Sequence, residues 1–285
     1  MTSPASESVA PVGIVAGGGA MPFAVADSLA AHGRAAVIFA LKGACDPARV
    51  TNFRHHWIAV GEVGRATRLF RSEGCRDLIF IGNLARPALS EIRLDWGTLR
   101  VMAHVLAAFR GGDDHLLTGI ARIIEAEGFQ LIGVADAAPD LLMPEGNIAS
   151  RTPDEAAQRD IARGLEALRA MAPFDVGQAV VVIDGNVTAL EDIEGTDALL
   201  ARVAGLRERG RIRTARGRGV LVKAPKATQD LRFDLPTLGP RTVEGVAAAG
   251  LAGIAITRGR SLVAEADKVI AAADAAGIFV TGLPA

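Results

Sequence analysis

Cysteine is scarce in this chain of 285 residues, where only Cys45 and Cys75 occur. Both lie in turn-like surroundings, Gly43-Ala44-Cys45-Asp46 and Gly74-Cys75-Arg76-Asp77, and there is no C-x-x-C pair and no His/Cys cluster. Zinc and iron–sulfur modules need closely spaced soft ligands, so both are excluded. The two thiols read as free cysteines of a reducing cytoplasm. The histidines, His32, His55, His56, His104 and His115, share no ligand spacing, and His115 reads as an ordinary surface residue. Aromatic residues make up only 4% of the chain, and 31 Lys and Arg face 32 Asp and Glu for a net charge of -1. A nucleic-acid surface needs excess positive charge and stacking rings, so nucleic acid is not expected as a partner.

No stretch reaches the ~18–20 uninterrupted apolar residues of a membrane-spanning helix, although Leu94–Phe109 is rich in them. The opening residues, MTSPASESVAPVG, lack the basic and apolar regions of a secretory signal, so 1–10 read as a disordered leader. Neither G-x-x-x-x-G-K-[ST] nor G-x-S-x-G occurs, which removes P-loop and nucleophile-elbow chemistry.

What the chain does have is apolar mass, 50% of its residues, and enough length for two domains. The apolar run Val12–Ala16 enters Gly17-Gly18-Gly19, and a helical pattern follows from Pro22 to Leu29. Such a strand, glycine turn and helix start offers backbone N–H groups to an anion, which makes Gly17, Gly18 and Gly19 candidate ligand contacts. A dinucleotide oxidoreductase is disfavoured, because Pro22 stands where G-x-G-x-x-G needs its third glycine. The second strand, Ala35–Leu41, also ends at Lys42 instead of an acid. Strands at Trp57–Val60, Leu78–Ile81 and Phe129–Val134 alternate with helices at Gly64–Ser72, Gly97–Phe109 and Asp114–Ala126. This alternation predicts an α/β fold with a Rossmann-like parallel sheet over 11–138. Gly17–Met21, Gly61-Glu62 and Gly82–Pro87 lie at carboxyl ends of strands, where such sheets bind ligands. Asp113-Asp114 reads as a cap with a first-turn acid ahead of a metal or ligand contact.

Residues 139–152 lose periodicity and read as a linker to a mixed α/β domain over 153–285, with a ligand cleft between the two domains. A helix over Pro153–Met171 is expected, capped by Thr152. Gln178–Ile183 and Val187–Leu190 flank Asp184-Gly185-Asn186, a hairpin turn. Glu191, Asp192, Glu194 and Asp197 form an acidic cluster with two open readings, a Mg²⁺ site or a plain helix N-terminus. The basic run Arg207–Arg218 reads as a solvated loop, with a collar that attracts phosphates or an anionic membrane face as the alternative.

The most chemistry-laden stretch is Lys223–Arg241, which follows the apolar run Val220–Val222. It places Lys223, Lys226, Asp230 and Asp234 on a loop stiffened by Pro225, Pro236 and Pro240. Fixed φ values reduce the entropy lost when such a loop orders around a polyanion. The bland alternative is a rigid surface loop.

Several stretches together resemble the LpxI-type UDP-2,3-diacylglucosamine pyrophosphatases of bacterial lipid A biosynthesis. They are GIVAGGGAMP (13–22), IGNLARP (81–87), GDDHLL (112–117), DVGQAVVV (175–182), EGTDALL (194–200), VLVKAPK (220–226), RFDLPTLG (232–239) and GLAGI (250–254). The resemblance implies hydrolysis to UMP and 2,3-diacylglucosamine 1-phosphate, lipid X, with water attacking the α phosphorus. It also implies a divalent metal, usually Mg²⁺, a homodimer, and the lipid held between two domains. The family's essential aspartate maps onto Asp234, and the family pattern carries a lysine where this chain has Gly112. On this basis Asp234, Lys223 and Asp230 are expected to be catalytic. Gly17, Gly18, Gly19, Asn83, Arg86, Lys226, Thr196 and Thr237 are expected to bind substrate, and Asp234, Glu194 and Asp197 to bind metal. The expected setting is the cytoplasm, peripheral at the inner-membrane surface. The competing reading is a two-domain nucleotide- or lipid-binding protein without chemistry.

Overall fold

In a computed structural model, the described residues are 10–83, 113–174, 176–225, 232 and 235–284. The chain divides into two compact units, the first running to Asp140 and the second starting at Leu141, with Arg232 belonging to the first.

The first unit is wound around β1 (Val12–Ala16), every residue of which is buried. After α1 (Met21–Ala31) come β2 (Ala36–Leu41), the short α2 (Pro47–Val50), β3 (His55–Ile58), α3 (Val63–Ser72) and β4 (Asp77–Ile81). Then follow α4 (Asp113–Ala126), β5 (Gln130–Leu131) and a single turn, α5 (Val134–Ala137). The strands lie in the order β3-β2-β1-β4-β5, all parallel. A central strand of a parallel sheet is covered on both faces, which is why β1 is a continuous apolar run. The chain fills one side of β1 and then crosses to the other, so the gap between the carboxyl ends of β1 and β4 is the topological switch point. Phe70 packs edge-on against Phe39 and Phe129, with ring centroids 4.5 and 5.4 Å apart.

Two local expectations are corrected here. The strand expected over Phe129–Val134 stops at Leu131, because Gly133 is extended and caps the helical turn α5. The strand expected at Trp57–Val60 begins earlier, at His55, and the chain turns at Ala59–Glu62, where Glu62 N donates to Ala59 O.

The second unit opens with β6 (Gly146–Asn147), within the stretch read as a linker, and α6 (Glu155–Met171). Asp154, not Thr152, caps α6: its carboxylate accepts from Ala157 N at 2.7 Å, so Pro153 lies just outside the helix. Next come β7 (Ala179–Ile183), β8 (Asn186–Leu190), α7 (Gly195–Glu208), β9 (Val220–Lys223), β10 (Thr237–Leu238), α8 (Pro240–Ala248), β11 (Gly253–Thr257), β12 (Leu262–Val263), α9 (Ala266–Ala276) and β13 (Phe279–Leu283). The main sheet runs β6-β13-β11-β9-β7-β8, with β13, β11 and β9 parallel and β6, β7 and β8 making antiparallel pairs.

Helix α6 packs Ala157 and Ile161 on one face of this sheet, against Val180, Val182, Val220 and Val222. It rides close to the strands, since a Cβ at Gly164 would lie 2.6 Å from Val222 Cγ2. The opposite face is covered by Leu199, Leu200 and Val203 of α7 and by Val243 and Val246 of α8. Burying each such side chain contributes about 1.5–3 kcal/mol. At the β7–β8 turn, Asp184 and Gly185 take positive φ of 48° and 78°. Their N–H groups donate to both carboxylate oxygens of Asp160 on α6, at 3.1 and 2.6 Å, and Asp160 is only 2% exposed. The short parallel pair β10–β12 joins Thr237–Leu238 to Leu262–Val263, and two-residue strands carry too little periodicity for their pairing to be read from sequence.

Candidate functional site

In the first unit, the glycine turn and Asn83 meet at the switch point, but through their backbones. Gly17 N donates to Ile81 O at 2.9 Å, Gly18 N to Asn83 O at 2.7 Å, and Asn83 N returns to Gly18 O at 2.9 Å. The expectation that Gly17 and Gly18 point their N–H groups at a ligand is therefore corrected, because those donors bind β4's extension. The glycines are needed for a different reason, the closeness of the two strand ends. A Cβ on Gly17 would lie 2.7 Å from Asn83 O, and one on Gly82, whose φ is +107°, would lie 2.7 Å from Gly18 O. Among the described residues the turn still presents the amides of Gly19 and Ala20, at the α1 end that lacks a side-chain cap. The Asn83 amide nitrogen stands beside Gly19, 3.9 Å from where its Cβ would be.

Nearby on the rim, Glu62 accepts from Ala59 N at 3.0 Å and from Arg65 at 2.9 Å. The Ala59 amide, aided by Arg65, holds this carboxyl below its ordinary range, although burial opposes the shift. Glu62 thus closes its own turn. Arg86 lies outside the described residues.

In the second unit, Lys223 ends β9 and is only 6% exposed. Its ammonium donates to Thr196 Oγ1 at 2.9 Å and to the Thr237 carbonyl at 3.1 Å. The structure therefore gathers three sequence-predicted residues, Lys223, Thr196 and Thr237, into one cluster. Thr196 in turn donates its hydroxyl to Glu191 Oε1 at 2.6 Å, and Glu191 Oε2 accepts from Gln178 N at 2.7 Å. Glu191 is 7% exposed, and a buried carboxylate persists only when its oxygens are satisfied in this way. Lys223 and Glu191 are opposite charges bridged by one hydroxyl. Because the Thr196 hydrogen goes to Glu191, its lone pairs face Lys223 and the ammonium has a defined position.

The sequence placed Glu191 in the acidic cluster without a role. A signal was available: the hairpin register sets Leu190 opposite Val180, and Glu191 N donates to Ala179 O at 2.9 Å. That register brings its side chain to Gln178. Gly177 makes room for it, since a Cβ there would lie 2.5 Å from Glu191 Cγ. Two helix starts converge on the same cluster. Thr196 is in the first turn of α7, Thr237 shortly precedes Pro240 at the start of α8, and Asp197 joins the two first turns by pairing with Arg241 at 2.9 Å. Helix N-termini carry partial positive charge, which adds to that of Lys223.

Of the expected metal residues, Glu194 and Asp197 are each paired with an arginine. Glu194 is held by Arg202 and Asp197 by Arg241, and Asp192 Oδ1 accepts from Glu194 N at 2.8 Å. Among the described residues no group of three or more His, Cys, Asp or Glu is arranged to hold a metal ion. Among the described residues the contacts of the acidic cluster are helix-start and ion-pair contacts. Asp234, Asp230 and Lys226 lie outside the described residues, as do the Arg110-Gly111-Gly112 stretch and the helix expected at Gly97–Phe109.

The basic run is also largely committed to structure. Arg207 donates to the carbonyls of Ala249 and Thr214, Arg216 to those of Ala247 and Ala248, and Arg218 pairs with Asp184 at 2.7 Å. Two of these arginines cap the carboxyl end of α8.

Residues 11–141 match the LpxI N-terminal domain, and residues 144–281 match the LpxI C-terminal domain. A solved structure, the UDP-glucose-4-epimerase of Stenotrophomonas maltophila with bound NAD and formylated UDP-arabinopyranose, is 13% identical. It covers 73% of this chain and 64% of its own at a TM-score of 0.30, a likeness too slight to bear on fold or function. Among curated proteins, the UDP-2,3-diacylglucosamine pyrophosphatase LpxI of Caulobacter vibrioides is 40% identical over 272 residues, 95% of this chain and 97% of that protein. With both domain models matched in order and a relative aligned along nearly its whole length, the chain belongs to the LpxI family.

Proposed function

We propose that this protein hydrolyses UDP-2,3-diacylglucosamine at its pyrophosphate, giving UMP and 2,3-diacylglucosamine 1-phosphate. The observation that carries the reading is the buried Lys223 ammonium, fixed between Thr196 and Thr237 in a family whose aligned relative bears that activity in its name. In the proposed step the water oxygen bonds to the α phosphorus. The bond from that phosphorus to the bridging oxygen breaks, lipid X leaves with the bridging oxygen, and the water protons pass to solvent. Charge building on the phosphoryl oxygens needs a donor already in position, because a preorganised cation stabilises it without reorganisation during the reaction.

Lys223 is assigned that role, and Thr196 and Glu191 hold it in place. Asp234 is assigned to orienting the water. Asp230, Lys226 and Arg86 are assigned to contacts with the substrate's anionic groups. The Gly19 amide and the Asn83 side chain are assigned to binding a polar group of a ligand.

No step is routed through a metal, since Glu194 and Asp197 are each held by an arginine. Dependence on Mg²⁺ is measured in the same assay. The reading also assigns a homodimer at the cytoplasmic face of the inner membrane, because a diacylated substrate resides in a bilayer. Light scattering and vesicle co-sedimentation check these assignments. Among the described residues no helix is long and apolar enough to cross a membrane.

The test is UMP release from UDP-2,3-diacylglucosamine in ¹⁸O-labelled water, with and without Mg²⁺, by wild type and Asp234→Ala. Turnover that places label in UMP and is lost in the folded variant supports the reading. Label in lipid X overturns attack at the α phosphorus, and wild-type turnover by Asp234→Ala removes that residue's role. Substrate-induced thermal stabilisation without UMP release selects the binding-protein alternative.

A further inference from the structure

The turn that joins β11 to β12 places two arginines at the carboxyl end of an inner strand. Arg258, Gly259 and Arg260 follow Thr257, the last residue of β11, and ligands of such sheets bind at that end of the parallel strands. Backbone bonds fix the turn from two sides. Arg258 N donates to Leu283 O at 2.9 Å, Gly259 N to Met143 O at 3.0 Å, and Ser261 O accepts from Met143 N at 2.8 Å. Gly259 supplies the φ of +62° that lets the chain reverse there.

The turn is tied to the Lys223 cluster through the short pair β10–β12. Thr237, whose carbonyl accepts from Lys223, pairs with Leu262, and Leu262 N donates to Pro236 O at 2.9 Å. The two strands are parallel, so the chain enters both from the same end. Arg260 stands two residues ahead of Leu262, as Leu235 stands two residues ahead of Thr237, and neighbouring strands lie about 4.8 Å apart.

Arg260 differs from the cations around it. Lys223 faces Glu191 through Thr196, Arg258 pairs with Glu145, Arg241 with Asp197 and Lys268 with Glu265. Arg260 is exposed and has no hydrogen-bond or ion-pair partner among the described residues. A sugar-nucleotide pyrophosphate carries a negative charge on each phosphate, whereas Lys223 and Glu191 together are neutral. A second cation is therefore needed. The planar fork of a guanidinium suits it, because it binds two oxygens of one phosphate at once.

We propose that Arg260 is a further substrate-binding residue, whose guanidinium holds the sugar-side phosphate while Lys223 serves the α phosphate. This assignment rests on the hydrolysis proposed above. The sugar-side phosphate gains charge as it leaves with the bridging oxygen, so donors fixed there assist departure as well as binding.

The test compares wild type, Arg260→Gln and Arg260→Lys in UMP release, with lipid X and UMP as product inhibitors. Since Arg260 holds no other side chain, Arg260→Gln is expected to keep the wild-type melting temperature. Its KM and its inhibition constant for lipid X should rise roughly tenfold, as expected for loss of a charge-assisted phosphate contact. The inhibition constant of UMP, which carries only the α phosphate, should not move. Arg260→Lys keeps the charge without the fork and should fall between the two. Unchanged KM and lipid X inhibition in Arg260→Gln overturn the proposal, as does an equal weakening of lipid X and UMP.

Absence of UMP release by wild type would instead sink the hydrolysis reading. The same variants are then compared by the rise in melting temperature that lipid X and UMP each produce. A lipid X response lost in Arg260→Gln, with the UMP response kept, supports the phosphate contact, and a retained lipid X response overturns it.

Discussion

At the β1/β4 rim of the first unit the two strand ends are joined through their backbones, whereas at the end of β9 in the second unit charged side chains are buried. The rim exists because Gly17 and Gly82 let two strand ends close to distances that a Cβ would forbid, so its polar surface is backbone. The β9 cluster consists of Lys223, Thr196 and Glu191, each holding the next. A backbone-built place tolerates no added atom but is indifferent to charge. A side-chain-built place tolerates changes of shape poorly and changes of charge worse, because an orphaned buried ion is left behind.

Substitutions can pull this contrast apart. The largest effect is expected from Lys223→Met, which keeps the apolar stem and removes the ammonium. Loss of one preorganised donor lowers kcat by about 10²–10³-fold, or roughly 3–4 kcal/mol. Circular dichroism and UMP release together test this, and a folded variant with wild-type kcat would remove Lys223 from the chemistry. Next is Gly82→Ala, which adds a Cβ 2.7 Å from Gly18 O at a φ of +107°. A side chain forced into that conformation costs about 1–3 kcal/mol before the clash is counted. The expected signature is a lower urea midpoint, and an unchanged midpoint would show that the strand ends can part at little cost.

Glu191→Gln comes third. It preserves size and the Gln178 contact but removes the charge facing Lys223 through Thr196. A fall in kcat of about tenfold, with a changed pH profile and little change in KM, is the outcome expected of a positioning residue. A pure loss of stability with kcat intact would make the cluster structural.

The smallest effect concerns the first unit alone. Burial, reinforced by Glu73, pushes the Cys75 thiol up from 9.0 to about 11. Between those values the unfolded chain has released a proton that the folded chain keeps, so stability falls as pH rises through that window. Cys75→Ala should flatten the alkaline slope of the melting temperature above pH 9.

Much of this was legible in the residues. Val12–Ala16 and Val220–Val222 are apolar without alternation, which marks strands covered on both faces, and Asp184-Gly185-Asn186 announced its hairpin. Lys223, Thr196 and Thr237 were named as site residues, and they meet. What could not be read were partners fixed by distance along the chain. Gly18 bonds Asn83, Arg207 bonds Ala249, and Glu194 and Asp197 spend their charge on Arg202 and Arg241. An acidic cluster written on one line looks like a metal site, and only the fold reveals that Arg202 and Arg241 pair with two of its members. Thr152 failed as a cap for a smaller reason: Asp154, two residues on, presents its carboxylate to the open amide of Ala157.

The Asp160 carboxylate has a consequence for how the second unit breathes. Turn amides at a hairpin tip ordinarily exchange with solvent deuterium almost as fast as those of an unfolded chain. Here the amides of Asp184 and Gly185 donate into a helix residue 24 and 25 positions upstream. They are protected as long as the hairpin tip stays bonded to α6. Two tip amides thus report how firmly the hairpin is held to a helix to which they do not belong.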